Sequence, residues 1–142
     1  MREILFKAKR IDTGEWKYGS LINLPNGETE IANKCVNPPD SDPMWKKCVI
    51  THEVDPETLC QYTGLADKNG KKIWESDIVR RADLHKVGEP SIGIIEYDIE
   101  NTAFVIHWID NPKYSPTYPW KNKIEVAGNI FDNPELLDGS TD

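Results

Sequence analysis

The chain has 142 residues, of which 38% are hydrophobic and 29% charged, and its formal net charge is −7. This composition is that of one water-soluble globular domain, or of two small ones, and it excludes a disordered chain. No apolar run approaches the roughly 18 residues of a membrane-spanning helix, and no apolar signal-peptide core follows Met1, so we expect a cytoplasmic protein.

Alternating apolar and polar residues predict short strands in the first half of the chain. These strands are expected at residues 4–9, 16–22, 28–32 and 49–54. The Asn-Gly pair at residues 26–27 predicts a hairpin turn. Prolines make residues 33–47 a loop. Asp55 before Pro56 predicts a single helical turn over residues 55–59.

The same pattern continues in the second half, after an Asn-Gly turn at residues 69–70. Strands are expected at residues 78–82, 92–99, 103–109 and 124–131. Residues 83–91 and 110–122 are expected to be loops, the second because three prolines interrupt it. Pro134 after Asn133 predicts a short helix.

Apolar residues nowhere recur at helical spacing over roughly 11 residues or more. The absence of long helices excludes parallel-sheet nucleotide folds. We therefore predict a mostly β fold of small antiparallel barrels with one or two single-turn helices. The expected domains are an N-terminal β-region at residues 1–60 and a small β-barrel at residues 61–142 that ends in a helical turn, unless both share one core.

The charge is unevenly distributed, with a net −1 in residues 1–71 and −6 in residues 72–142. Proteins that bind nucleic acids use Lys and Arg to displace counterions from phosphates. The acidic second half therefore disfavours a nucleic-acid partner, although residues 1–11 carry a small basic edge.

Three cysteines, Cys35, Cys48 and Cys60, form an odd set that excludes a complete disulfide framework. With His52 they could supply four zinc ligands, but the close Cys-x2–4-Cys pair of structural zinc sites is absent. We therefore predict no metal and no cofactor, and we expect the cysteines to be small buried residues.

Asp77, Glu96 and His107 are the residues on which an enzymatic alternative would depend. A histidine and carboxylates within hydrogen-bond reach could provide general acid–base chemistry. The simpler interpretation is that Asp77 caps a turn at a strand start and that His107 packs in an apolar strand beside Trp108. No catalytic residue is assigned on this evidence.

The most distinctive feature of the composition is five Trp and five Tyr residues. Trp108, Tyr114, Tyr118 and Trp120 lie in or beside the proline-broken segment 110–122. Aromatic side chains on a loop beside a barrel are typical of a contact surface for a partner. The alternative is that they fold back and cover an open end of the barrel.

Several motifs resemble those of the YopX-like phage and prophage proteins. Residues 14–19 read Gly-Glu-Trp-Lys-Tyr-Gly and are similar to the family's Gly-x-Trp-x-Tyr-Gly. The other similar segments are residues 54–65, 67–73, 75–79 and 126–136, in the family's order. The family usually has glycine where this chain has Ser76, which questions a tight turn there.

The resemblance implies a phage or prophage origin and no catalytic residue to transfer. It also implies a β-rich fold with SH3-like character, which we assign to the barrel at residues 61–142. We expect a non-catalytic binding module for a host or phage macromolecule, with a protein as the expected partner, in the cytoplasm of the bacterial host. The alternatives are a small hydrolytic or nucleotide-handling enzyme and a nucleic-acid-binding protein. No membrane partner is expected, and the edge strands of small barrels allow a homo-oligomer.

Overall fold

The computed structural model describes residues 2–34, 49–82, 91–110 and 113–138. Cys35, Cys48 and His85 lie outside these residues, as do most of the predicted loops at 33–47 and 83–91. By the compactness of its contacts the chain divides into two units, Met1–Gln61 and Tyr62–Asp142. The SH3-like character assigned to residues 61–142 stays a prediction.

The first unit is an antiparallel meander. Its strands are β1 (Phe6–Lys9), β2 (Trp16–Asn23), β3 (Thr29–Lys34), β4 (Val49–Glu53) and the first residues of β5 (Cys60–Ala66). Their order is β4-β3-β2-β1-β5, with Phe6 opposite both Gly19 and Gln61. Alternate side chains bury a small apolar core centred on Ala8, Ile31 and Val54.

Local signals determine the turns of this unit. Gly27 has a φ of 91°, which the Asn-Gly hairpin requires. A 3₁₀ turn at Pro56–Thr58 forms as predicted, and the Asp55 side chain accepts a hydrogen bond from the backbone N–H of Glu57 at 3.0 Å.

The second unit contains a five-stranded antiparallel sheet. Its elements are β6 (Lys72–Trp74), β7 (Asp77–Arg81), β8 (Ile92–Asp98), β9 (Ala103–Trp108), β10 (Lys113–Pro116), helix α1 (Thr117–Trp120), β11 (Ile124–Asn129) and a 3₁₀ turn at Pro134–Leu137. The sheet order is β10-β9-β8-β7-β11, and β5 pairs with β6. One face of the sheet carries the core, formed by Ile73, Val79, Ile95, Ile106, Trp108 and Ile124.

The turn between β6 and β7 forms although Ser76 stands where the resemblance led us to expect glycine. Ser76 has a φ of 71°, in the left-handed region that favours glycine. Its N–H donates to the carbonyl of Ile95 at 2.8 Å, and its carbonyl accepts from the N–H of Ile130 at 3.1 Å. Two long-range hydrogen bonds thus compensate the local cost of the conformation.

The mostly β, antiparallel fold is confirmed, and three sequence predictions are wrong in detail. The described sheet is open, with β10 and β11 as its two edges, so the strands described form no closed barrel. Pro116 at the end of β10 lacks the N–H that would extend a ladder. The expected loop at 110–122 contains β10 and α1, and β5 forms at residues where no strand was expected.

None of the helices in the described ranges has the length and apolar character needed to cross a bilayer.

Candidate functional site

A groove of about 530 Å³ lies at the end of the β8–β9 hairpin, beside β10. The residues that line it are Glu96, Tyr97, Asp98, Ile99, Glu100, Asn101, Val105 and Tyr114. Asp98 shapes its rim, because the carboxylate accepts hydrogen bonds from the N–H of Glu100 at 3.1 Å and from Nδ2 of Asn101 at 2.6 Å. The turn of the hairpin is therefore held in one conformation.

Three polar side chains form a row across the sheet at this groove. Glu96 lies opposite Val105 and His107 opposite Ile94, which puts both side chains on the face opposite the core. Oε2 of Glu96 is 2.7 Å from Nδ1 of His107. Tyr114 lies directly opposite His107, and the two rings stack with centroids 4.5 Å apart. The row is thus fixed by strand register.

The groove combines negative charge with exposed apolar surface. Glu96, Asp98 and Glu100 line it, and no Lys or Arg belongs to its described lining. Oε1 of Glu96 accepts no hydrogen bond from the described residues. Tyr114 is 63% exposed and Ile99 is 80% exposed. Such a surface attracts a cationic group and offers apolar contact to its stem.

The four aromatic residues predicted to bind a partner occupy two different environments. Trp108 is fully buried in the core, where its Nε1 donates to Oγ of Ser115 at 2.9 Å. Trp120 is half-buried and meets Trp108 edge to face at 5.2 Å. Tyr114 and Tyr118 are exposed. In this conformation only Tyr114 and Tyr118 present most of their rings to a partner, and the binding role itself stays a prediction.

The structure brings together two of the three residues of the enzymatic alternative. Glu96 and His107 form the 2.7 Å contact described above. Asp77 is buried, and its Oδ2 accepts a hydrogen bond from the N–H of Trp74 at 2.8 Å. Its carboxylate therefore closes the β6–β7 turn, which is the simpler role that the sequence indicated.

The possible zinc ligands are only partly described. Cys60 is buried, and its thiol donates to the carbonyl of Thr58 at 3.3 Å. The pKa of His52 is lowered from its usual 6.5 chiefly by burial, with further contributions from the positive charges of Lys17 and Arg10. Among the described residues no three His, Cys, Asp or Glu side chains cluster as metal ligands.

The residues of the family-like motifs serve the fold. The carboxylate of Asp67 accepts three hydrogen bonds from backbone N–H groups, and the carboxylate of Asp77 accepts one from the N–H of Trp74 in the β6–β7 turn. A Cβ on Gly19 would overlap the backbone of β3, and one on Gly128 would lie 2.7 Å from Cγ of Asn133. These glycines are therefore required by close approach.

Sequence reasoning missed the groove. The signal for it is the alternation of Glu96, Asp98 and Glu100 with Tyr97 and Ile99, which gives a strand end with acidic residues on one face. The partner strand and the position of Tyr114 depend on pairing between distant segments. The sequence pattern does not contain that pairing.

Comparison with known proteins places these features in context. The family model described as YopX protein matches residues 5–138. The crystal structure of protein EF1440 from Enterococcus faecalis is similar, with a TM-score of 0.56 and 20% sequence identity over 97% of this chain and 100% of that chain. At this identity the similarity concerns the fold alone. No curated protein sequence matches the chain.

Proposed function

The chain belongs to the YopX protein family, whose model matches residues 5–138, and from this premise we propose that it is a non-catalytic module that binds a protein partner. The site is the groove between the β8–β9 hairpin and β10, and the occupant is a segment of the partner that carries Lys or Arg. The observation that supports the proposal most is the lining of three carboxylates beside exposed Tyr114 and Ile99.

The physical argument rests on charge complementarity. A cationic side chain entering the groove meets Glu96, whose Oε1 accepts no hydrogen bond from the described residues, and the exposed carboxylate of Glu100. Its aliphatic stem, or a guanidinium plane, can lie against the ring of Tyr114. His107 supports that ring from behind, so the platform is ordered before binding.

The family resemblance supports three finer expectations, which belong to the same proposal. The protein is encoded by a phage or prophage, acts in the cytoplasm of the bacterial host, and has SH3-like character in its second half. The partner is then a host or phage protein, and a second copy of the chain is the alternative partner.

Affinity capture with matched baits tests the proposal. The baits are the wild-type chain, a Glu100→Gln/Tyr114→Ala variant, and Glu135→Gln as a charge-matched control on an exposed residue outside the groove. We expect one protein to be retained by the wild type and the control and lost with the groove variant. Loss of a central aromatic contact weakens binding by about tenfold or more.

The captured protein is then truncated to its basic segments and titrated against the same three variants. A partner that binds all three equally, or whose binding segment is acidic, would contradict the proposal. Binding that weakens as salt is raised supports the electrostatic part of the argument.

One observation favours a second candidate function, a small hydrolase. Glu96 holds Nδ1 of His107 at 2.7 Å, which is how a carboxylate orients an imidazole that takes a proton from water. Turnover of simple esters or phosphodiesters that disappears in His107→Gln, with the fold retained by circular dichroism, would support the hydrolase. The binding proposal predicts the same background rate for the wild type and His107→Gln.

A further inference from the structure

A second surface of the same unit has the opposite charge. Helix α1 is fixed to the sheet by Thr117, which is 2% exposed and whose Oγ1 donates to the carbonyl of Phe104 at 2.9 Å. This anchor places the ring of Trp120 against the core and leaves Tyr118 67% exposed. The two aromatic rings of this short helix thus have different environments.

Three cations lie over these rings. The guanidinium of Arg81 is 4.9 Å and the ammonium of Lys123 is 5.5 Å from the centroid of Trp120. The ammonium of Lys121 is 5.3 Å from the centroid of Tyr118. Cation–π attraction reduces the freedom of these long side chains. We name the five residues the basic aromatic patch.

The surroundings in the sequence reinforce the charge of this patch. Residues 113–124 contain three lysines and no acidic residue, within a half of the chain whose net charge is −6. A local concentration of positive charge in an acidic protein favours an anionic partner at this place, in spite of the overall charge.

We propose that the basic aromatic patch binds single-stranded nucleic acid, independently of the groove. Phosphates contact Lys121, Lys123 and Arg81, and one unpaired base stacks on the exposed ring of Tyr118. Small binding domains for single strands combine aromatic platforms with a cationic track in this way. A duplex has no unpaired base to offer, and an acidic peptide or polyphosphate would use the cations without the ring.

The test measures fluorescence anisotropy of a labelled oligothymidylate of about 12 nucleotides, within the ~4–16 nucleotides that one such site covers. The full chain is compared with Tyr118→Ala, Tyr118→Phe and Lys121→Gln/Lys123→Gln. Lys113→Gln serves as the control that removes one positive charge from the same segment outside the basic aromatic patch. A duplex of equal length and an inorganic polyphosphate are the competing ligands.

We expect Tyr118→Ala to weaken binding about tenfold, the effect of losing one stacked base, and Tyr118→Phe to retain it. The logarithm of the association constant falls linearly with the logarithm of the salt concentration. The double lysine variant should make this slope shallower by about 1.4, since each of the two lost phosphate contacts contributes about 0.7. Lys113→Gln should change the affinity less than Tyr118→Ala and less than the double lysine variant.

Three results would overturn the proposal: no binding at low salt, equal binding of the duplex or polyphosphate, or equal affinities of Tyr118→Ala and Tyr118→Phe. Tyr118 is exposed, so its replacement does not threaten the fold. Because the groove residues are unchanged in all these variants, the outcome is independent of the protein-binding proposal.

Discussion

The carboxylate of Asp67 is the group whose replacement should reveal most about the stability of the second unit. Asp67 is 5% exposed. Its Oδ1 accepts from the N–H groups of Asn69 at 2.8 Å and Lys71 at 2.9 Å, within the local turn. Its Oδ2 accepts from the N–H of Val126 at 2.8 Å, across 59 residues of sequence. The side chain therefore joins the Asn-Gly turn to strand β11.

Asp67→Asn tests this role with almost no change in shape. The amide oxygen can keep the two bonds of the turn, while the amide NH₂ then faces the N–H of Val126 and leaves it unsatisfied. A hydrogen bond to a charged group contributes about 1.5–3 kcal/mol, and an unpaired buried N–H costs about 1–3 kcal/mol. We expect Asp67→Asn to lower the free energy of unfolding by about 2–3 kcal/mol, and Asp67→Ala, which loses all three bonds, by about 3–5 kcal/mol.

The effect is measured by urea unfolding, monitored by tryptophan fluorescence and by circular dichroism. We expect the midpoint urea concentration to shift while the slope of the free energy of unfolding against urea concentration stays constant. Asp138→Asn is the control, because it removes an equal charge from an exposed side chain in the same unit. A loss below about 0.5 kcal/mol for Asp67→Asn, the usual range of surface substitutions, would refute the reasoning. So would equal losses for Asp67→Asn and Asp138→Asn.

Three further predictions concern stability. Gly19→Ala would place a methyl group against the carbonyl of Ala32, and it should lower the free energy of unfolding by about 1–3 kcal/mol in urea, with Ser20→Ala as the control. Ser76→Gly relieves a left-handed φ of 71° and should raise the free energy of unfolding by about 0.5–1 kcal/mol; a loss would contradict the strain argument. His52 has a folded-state pKa lowered by burial, so below its unfolded pKa near 6.5 the unfolded chain binds more protons. Stability should fall as the pH falls from 6.5 through the folded pKa, and unfolding midpoints of His52→Gln across this range should lack that component.

The sequence predicted elements whose causes are local. The turn at residues 55–59 formed because Asp55 caps it, and the hairpin at residues 26–27 formed because Gly27 adopts a positive φ. Strand β5 was missed because Gly64, with a φ of 87°, lies where its pairing with β6 shifts register. Strand β10 and helix α1 were missed because prolines suggested a loop, whereas an edge strand and a first helical turn both tolerate proline.

The site was predictable only in part, because its geometry depends on long-range pairing. Glu96 and His107 were singled out by residue type, but their contact follows from the β8–β9 register. Asp77 was grouped with them, and its carboxylate instead accepts the hydrogen bond of a turn. The exposure of the aromatic side chains could not be predicted from the sequence either. Trp108 is buried and Tyr114 is exposed, although both residues lie close to the same prolines in the sequence.

The motifs that reveal the family and the surfaces proposed for binding occupy different parts of the chain. Motif residues such as Asp67, Gly19 and Gly128 are committed to backbone hydrogen bonds or close packing. The groove and the basic aromatic patch come mainly from residues 96–101 and 113–124, which fall between the motifs. Replacement of a motif residue is therefore expected to act on the fold, whereas replacement of a residue in the segments between is expected to act on the surfaces proposed for binding. Within the second unit, a motif substitution such as Asp67→Ala should accordingly weaken folding and both proposed binding activities together, and a groove or patch substitution should weaken one of them alone.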